Sequence, residues 1–261
     1  SLGRLYAANT LGAVGGVLIV TFVLMEQFGL RGSTYVAAMV NLIVALIAWR
    51  WGRDPGGTSP QADLPQADLP QADVTSSALD PVLRVVLIGF GFSGFAALGY
   101  EVAWTRVVRV AFSMVSHYEF SLVLAAFLVG LALGSLICSR LLRRDIDLLS
   151  WFGGAQILLG ILGVLSLPVL GWLPVMVDQL RDMGPWWAYR GGVFAVSFAV
   201  MLGPTLLMGA VFPLVGRIYI RHLGRIGEFM CMIGGVNSLG AALGALLTGF
   251  VLIPTFGTES S

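Results

Sequence analysis

Seven apolar runs in the chain are each long enough to cross a membrane as a helix, and no other feature constrains the fold as strongly. A spanning helix needs about 20 largely apolar residues. Such runs lie near 8–26, 33–51, 84–111, 119–140, 150–171, 188–214 and 228–253. Composition agrees: of 261 residues, 57% are hydrophobic and 11% charged, with a mean hydropathy of +0.88. A soluble domain carries about 25% charged residues. So much apolar surface cannot be hidden in a water-soluble globule, and the partner the sequence demands is the lipid bilayer. The expected fold class is all-α, a polytopic membrane helix bundle with about seven spanning helices.

Other classes find little support. The formal net charge of +1 gives no reason to expect nucleic acid as a partner. Cys138 and Cys231 lie far apart in apolar segments and read as buried reduced thiols, not as a disulfide or a metal site. His117 and His222 have no second ligand at metal spacing, so neither a metal nor another cofactor is expected. The chain opens on Ser1 with no signal peptide ahead of its first apolar run. It therefore reads as an internal piece of something longer.

Between the second and third runs stands "GRDPGGTSPQADLPQADLPQADVTSSALDP", with QADLP in tandem. Its Pro, Gly, Ser and Asp content predicts a disordered, solvated linker over 52–83. Basic residues then set orientation. Arg4 precedes the first run, Arg50, Arg53 and Arg84 bracket the linker, Arg140, Arg143 and Arg144 follow the fourth run, and Arg217, Arg221 and Arg225 follow the sixth. Seven alternating spans put all four groups on one side, assigned to the cytoplasm. The opposite loops carry a mixed set: Asp178, Arg181, Asp182, Arg190 and Glu259.

The two ends of the chain repeat one another. "NTLGAVGGVLIVTFVLMEQFG" from Asn9 and "NSLGAALGALLTGFVLIPTFG" from Asn237 align without a gap. They share Asn9/Asn237, Leu11/Leu239, Gly12/Gly240, Ala13/Ala241, Gly16/Gly244, Phe22/Phe250 and Phe28/Phe256. Six spans separate the copies, so their orientation is the same. Parallel six-span halves are the 6+6 architecture of major-facilitator-like transporters. On this map residues 1–51 are the last two spans of a first half and residues 84–261 the first five of a second. Four spans before the chain and one after it are expected.

Small residues recur at helix-packing spacing: Gly12/Gly16, Gly130/Gly134 and Gly240/Gly244. Lipid supplies little hydrophobic drive between helices, so close backbone approach does that work; the same smooth contacts would suit a rocking surface. Gly89, Gly91 and Gly94 spell G-x-G-x-x-G, which binds dinucleotides only within a parallel sheet. A spanning helix follows instead of strands, so these glycines are expected to thin or bend a membrane helix. Pro204 and Pro213 bracket "GPTLLMGAVFP" and would mark either a moving helix or a structural kink.

The most unusual stretch is "GYEVAWTRVVR", which places Glu101, Arg106 and Arg109 in an apolar run. A charge at membrane depth costs several kcal/mol unless paired or wetted, so it marks a candidate site. Glu101 beside Tyr100 and Trp104 would suit an organic cation, through charge and cation–π attraction. Alternatively the helix has reached the outer interface: Tyr100 and Trp104 form an aromatic belt, the arginines snorkel to water, and Glu101 pairs with one of them. Both readings stand.

The run "GFSGFAALGYEVAWTRVVRVAF…SLVLAAFLVGLALGS" resembles the transmembrane portion of bacterial membrane-fused spermidine-synthase-like proteins. The matching residues are Ser93, Gly94, Phe95, Ala97, Leu98, Tyr100, Glu101, Trp104 and Arg106, then 121–127 and 130–135. "GPTLLMGAVFPL" at 203–214 and the Asn9 and Asn237 segments fit later elements of the pattern. The resemblance implies a major-facilitator-like module in a bacterial inner membrane, with a polyamine connection. It makes Tyr100, Glu101, Trp104 and Arg106 a family-type cluster. The aminopropyltransferase domain that such proteins often carry has no counterpart in these residues, so no catalytic residue is assigned. Two functions follow as expectations. One is transport or handling of a small cation such as a polyamine, with Glu101 attracting it, Tyr100 and Trp104 lining it, and Arg106 tuning Glu101. The other is a non-transporting anchor for a soluble synthase domain, or a subunit of a larger membrane complex.

Overall fold

The bilayer interior holds no water to take up a free N–H or C=O, so a spanning segment must close its own hydrogen bonds, as a helix does. The computed structural model follows that rule. It describes residues 2–52, 81–111, 117–144, 147–181, 185–223 and 226–256, nearly all of them helical and none in a strand. The helices are α1 (Leu2–Ile19), α2 (Met25–Gly52), α3 (Pro81–Ala111), α4 (His117–Leu141), α5 (Leu148–Arg181), α6 (Trp186–Leu223), α7 (Ile226–Leu247) and the short α8 (Ile253–Phe256). One wide π-helical turn, Val20–Leu24, follows α1, and another, Thr248–Leu252, follows α7.

Among the described residues six helices are long and apolar enough to cross a membrane. The first, Gly3–Trp51, contains both of the first two expected runs in 49 residues. An unbroken helix of that length would measure about 74 Å, more than twice a hydrocarbon core of about 30 Å. It is not unbroken: at Gly29 the backbone turns to φ 64° and ψ −175°, a conformation open to glycine for want of a Cβ.

The chain forms two compact units, one of Ser1–Thr21 with Pro81–Ser261, the other Phe22–Asp80. In the second unit α2 carries apolar side chains outward on all sides beyond Gly29, among them Leu30, Met39, Leu42, Ile43 and Leu46. A helix apolar all round belongs in lipid. The Ser33 hydroxyl donates to the Gly29 carbonyl at 2.7 Å and that of Thr34 to Leu30 at 2.9 Å, so these polar groups are satisfied within the helix. The expected linker at 52–83 falls almost wholly outside the described residues.

In the first unit α4 lies along α6, α3 along α7, α1 on α4 and α5 on α6. Its core has two layers. In one, Leu83, Val86 and Phe90 of early α3 meet Cys138 of late α4, Phe152 of early α5 and Val215 and Tyr219 of late α6. The Tyr219 hydroxyl donates to the Leu83 carbonyl at 2.6 Å. In the other, Trp104 meets Val123 and Phe127 of early α4, Leu159 of α5, and Met201 and Met208 of α6. Early segments meeting late ones means that α3 to α6 run up and down in alternation. Arg84, Arg140, Arg143, Arg144 and Arg217 thus share the end marked by the first layer. At that end Gly3 packs on Ser139 and Pro213, and Tyr6 stacks on Phe212 at 4.7 Å, which brings Arg4 there as well.

Glycines set the two closest helix contacts. On α4, a Cβ at Gly130 would overlap Thr205 of α6 and one at Gly134 the Leu206 carbonyl; one at Gly209 of α6 would overlap the Leu131 carbonyl. On α7, Gly240 rests on the Gly91 carbonyl of α3 and Gly244 on the Phe95 carbonyl, while Gly94 of α3 faces Asn237. The G-x-G-x-x-G stretch therefore lies within a helix and thins it, as lipid-embedded packing requires. Gly12 and Gly16 differ: nothing lies within 4 Å of a Cβ built on either. α6 runs through both Pro204 and Pro213.

Between α4 and α5, Asp147 caps α5. Its carboxylate accepts the Leu149 N–H at 3.2 Å and the Ser150 hydroxyl, which holds its pKa below the usual carboxylate range.

Candidate functional site

The candidate residues lie on the second half of α3, where helical spacing sorts them onto different faces. Tyr100 and Trp104, four apart, stack at a centroid distance of 5.2 Å and an interplanar angle of 23°. Trp104 is 1% exposed within the second core layer. Tyr100 packs against that layer, and its hydroxyl lies so close to Gly163 of α5 that any side chain there would overlap it. Such an aromatic pair contributes about 0.5–1.5 kcal/mol beyond its area burial. Both rings are thus committed to the bundle core.

Glu101 and Arg106 point elsewhere. With Leu98, Val102, Thr105, Phe120, Gly249 and Ile253 they line a cleft of about 540 Å³ between α3, the start of α4 and the π-turn after α7. Glu101 is half-buried and Arg106 exposed. No hydrogen bond or ion pair joins Glu101 to Arg106 or to any other described residue. At 1.5 Å per residue Glu101 lies about 30 Å along α3 from Pro81, one hydrocarbon thickness. The side chain of Arg109 lies outside the described residues.

The structure therefore joins Tyr100 with Trp104, and Glu101 with Arg106, in two separate places. Sequence reasoning missed Thr105, Phe120, Gly249 and Ile253. Thr105 was within reach, one turn beyond Glu101 on the same face. The other three come from helices whose docking no local pattern announces. Gly249 enters through a π-turn, a widening often found beside functional sites. A second groove of about 580 Å³ between α5 and α6 is apolar, lined by Leu162, Leu165, Val169, Val196 and Val200 among others. Its Ser166 hydroxyl already donates to the Gly163 carbonyl at 2.7 Å. It has the surface of a lipid-facing furrow.

The class defined by this fold is the multi-pass α-helical membrane protein. Comparison with known proteins takes the assignment no further: no protein family, no curated protein and no solved structure matches the chain.

Proposed function

We propose that this chain is the membrane part of a transporter-like protein with two six-span halves, whose cleft at Glu101 takes the cationic end of a small metabolite. A polyamine is the class suggested by the resemblance to membrane-fused spermidine-synthase-like proteins. The observation that carries this reading is the Glu101 carboxylate, half-buried beside a cleft of about 540 Å³ and without a partner among the described residues. An acid near a membrane helix end without a counter-ion calls for water or a ligand.

In this reading the helix break at Gly29 divides the first long stretch into two spans, which makes seven. Residues 1–51 then close a first half, 84–261 open a second, and 52–83 link them on the cytoplasmic face of a bacterial inner membrane. The gathering of Arg4, Arg84, Arg140, Arg143, Arg144 and Arg217 at one end of the first unit supports that orientation through the excess of Lys and Arg in cytoplasmic loops.

A second reading, a non-transporting anchor for an aminopropyltransferase domain or a subunit of a larger membrane complex, draws on a specific observation. Tyr100 and Trp104 turn into the core, and Arg106 brings positive charge to the cleft. That leaves a single carboxylate for a polycation. Uptake of labelled spermidine into proteoliposomes separates the two. Transport predicts uptake by the full-length protein and its loss in Glu101→Gln at unchanged expression and thermal stability. A full-length protein that neither binds nor moves any polyamine removes the transport reading.

A further inference from the structure

The two repeat copies are alike in backbone as well as sequence. The gap-free alignment that sets Asn9 on Asn237 also sets the π-turn Val20–Leu24 on the π-turn Thr248–Leu252, residue for residue. Equivalent positions in α1 and α7 should therefore present equivalent surfaces. In α7 the surface Asn237–Gly240–Gly244 is occupied. α3 lies against it so closely that a Cβ on Gly240 or Gly244 would overlap the Gly91 or Phe95 carbonyl, and Asn237 sits over Gly94. In α1 the matching residues Asn9, Gly12 and Gly16 are all exposed, with open space beside both glycines.

α1 does pack within its unit, but by another face. Gly3, Ala7, Thr10 and Thr21 are buried. The Ser135 hydroxyl of α4 donates to the Gly3 carbonyl at 2.9 Å, and the Thr21 hydroxyl donates to that of Ser121 at 2.8 Å. The matching α7 positions Gly235 and Ser238 are exposed. Within the helices the two copies are thus reciprocal: Asn9, Gly12 and Gly16 are bare where Asn237, Gly240 and Gly244 are covered, and Ala7 and Thr10 are covered where Gly235 and Ser238 are bare. A solvent- or lipid-facing role does not explain why the bare face of α1 keeps the residues that α7 uses for contact.

We propose that the Asn9–Gly12–Gly16 face of α1 is the docking face for a membrane helix of α3 chemistry. Such a helix is apolar, with glycine at positions i, i+3 and i+8, as Gly91, Gly94 and Gly99 stand in the α3 surface under α7. The occupant lies with its first glycine on Gly12 and its second beside Asn9. Van der Waals contact and close backbone approach hold it, because lipid offers no hydrophobic drive. This inference rests on the repeat and not on the transport reading, and survives if no polyamine is moved.

The test uses the full chain in bicelles and a labelled synthetic peptide of residues 81–107. The peptide should bind, and Gly12→Ile or Gly16→Ile should weaken binding at least tenfold while Leu11→Ala leaves it unchanged. Both isoleucines point into open space, so the thermal unfolding of these variants should match that of the unmodified chain. Register supplies a second readout. A peptide carrying Gly94→Ile, whose side chain would overlap the backbone at Asn9 as a Cβ on Gly94 overlaps that of Asn237, should fail to bind, while one carrying Phe92→Ala at an outward-facing position should bind as the unmodified peptide does. Absence of binding, binding indifferent to Gly12→Ile and Gly16→Ile, or a Gly94→Ile peptide that binds as well as the unmodified one overturns the proposal. So does an Asn9→Cys chain that cross-links to a second copy of itself in the presence of the peptide, since the face would then belong to that copy.

Discussion

α1 and α7 share a motif, a direction along the chain and a π-turn, yet they bury opposite faces. α7 sets Gly240 and Gly244 against backbone carbonyls of α3, while α1 leaves Gly12 and Gly16 bare and docks by Ala7 and Thr10. The difference teaches that a glycine pair in a membrane helix specifies a capacity for close approach and not a partner. What fills the capacity depends on which helices the rest of the chain brings near. A small-residue motif read in isolation would have assigned both pairs the same role.

The largest expected effect comes from bulk at the filled face. Gly240→Ile or Gly244→Ile would force a branched side chain into the α3 backbone, with no flexible neighbour to give way. Overpacking of this kind typically costs about 1–3 kcal/mol and at times more. Thermal unfolding in detergent should show a clear loss of stability. Gly12→Ile and Gly16→Ile, tested without peptide, should stay within about 0.5 kcal/mol of the unmodified chain, as at open surface positions. Equal losses at the two sites would break the comparison.

A smaller effect probes the face that α1 does use. Thr21→Val keeps the shape of the side chain and removes the hydrogen bond to Ser121. A net loss of about 1 kcal/mol is expected, and Ser121→Ala on top of it should cost less than Ser121→Ala alone. Strict additivity of the two would show that the bond does not tie α1 to α4.

The smallest effect lies outside both copies and calibrates them. Asp147 caps α5, and its pKa is lowered in the folded chain by the Ser150 hydrogen bond. A group whose folded pKa lies below its unfolded value stabilises above the unfolded value, near 3.9 for Asp, and loses that contribution as pH falls through the folded value. Stability should therefore decline below about pH 4, by less in Asp147→Asn than in the unmodified chain. An identical acid profile in both would mean that the cap contributes nothing.

The span positions were legible because a bilayer leaves little choice: a long apolar run must be helical and must cross. Runs three to seven fall on α3 to α7 with starts within about three residues of those expected, while α5 and α6 extend to Arg181 and Leu223, well past the expected ends at 171 and 214. The first two fall within one stretch whose break at Gly29 no periodicity marks. The repeat, too, was visible in the residues themselves, and its matching π-turns were not, because a π-turn has no sequence signature of its own. The candidate site was half legible. Tyr100, Glu101, Trp104 and Arg106 stood out as polar or aromatic residues in an apolar run. Their division into a core pair and a cleft pair did not.

By itself the sequence determined that this is a membrane chain, nearly all helix, with two copies of one glycine-bearing apolar segment and its basic residues at one side of the map. Tertiary structure alone decided which face of each helix is covered, which glycines touch a backbone, and that Glu101 opens on a cleft while Trp104 is sealed in the core. In water, burial leaves a polarity pattern that names the inward face of a helix. In lipid both faces are apolar, so the pattern is silent and only the shape of the neighbouring helix selects the face.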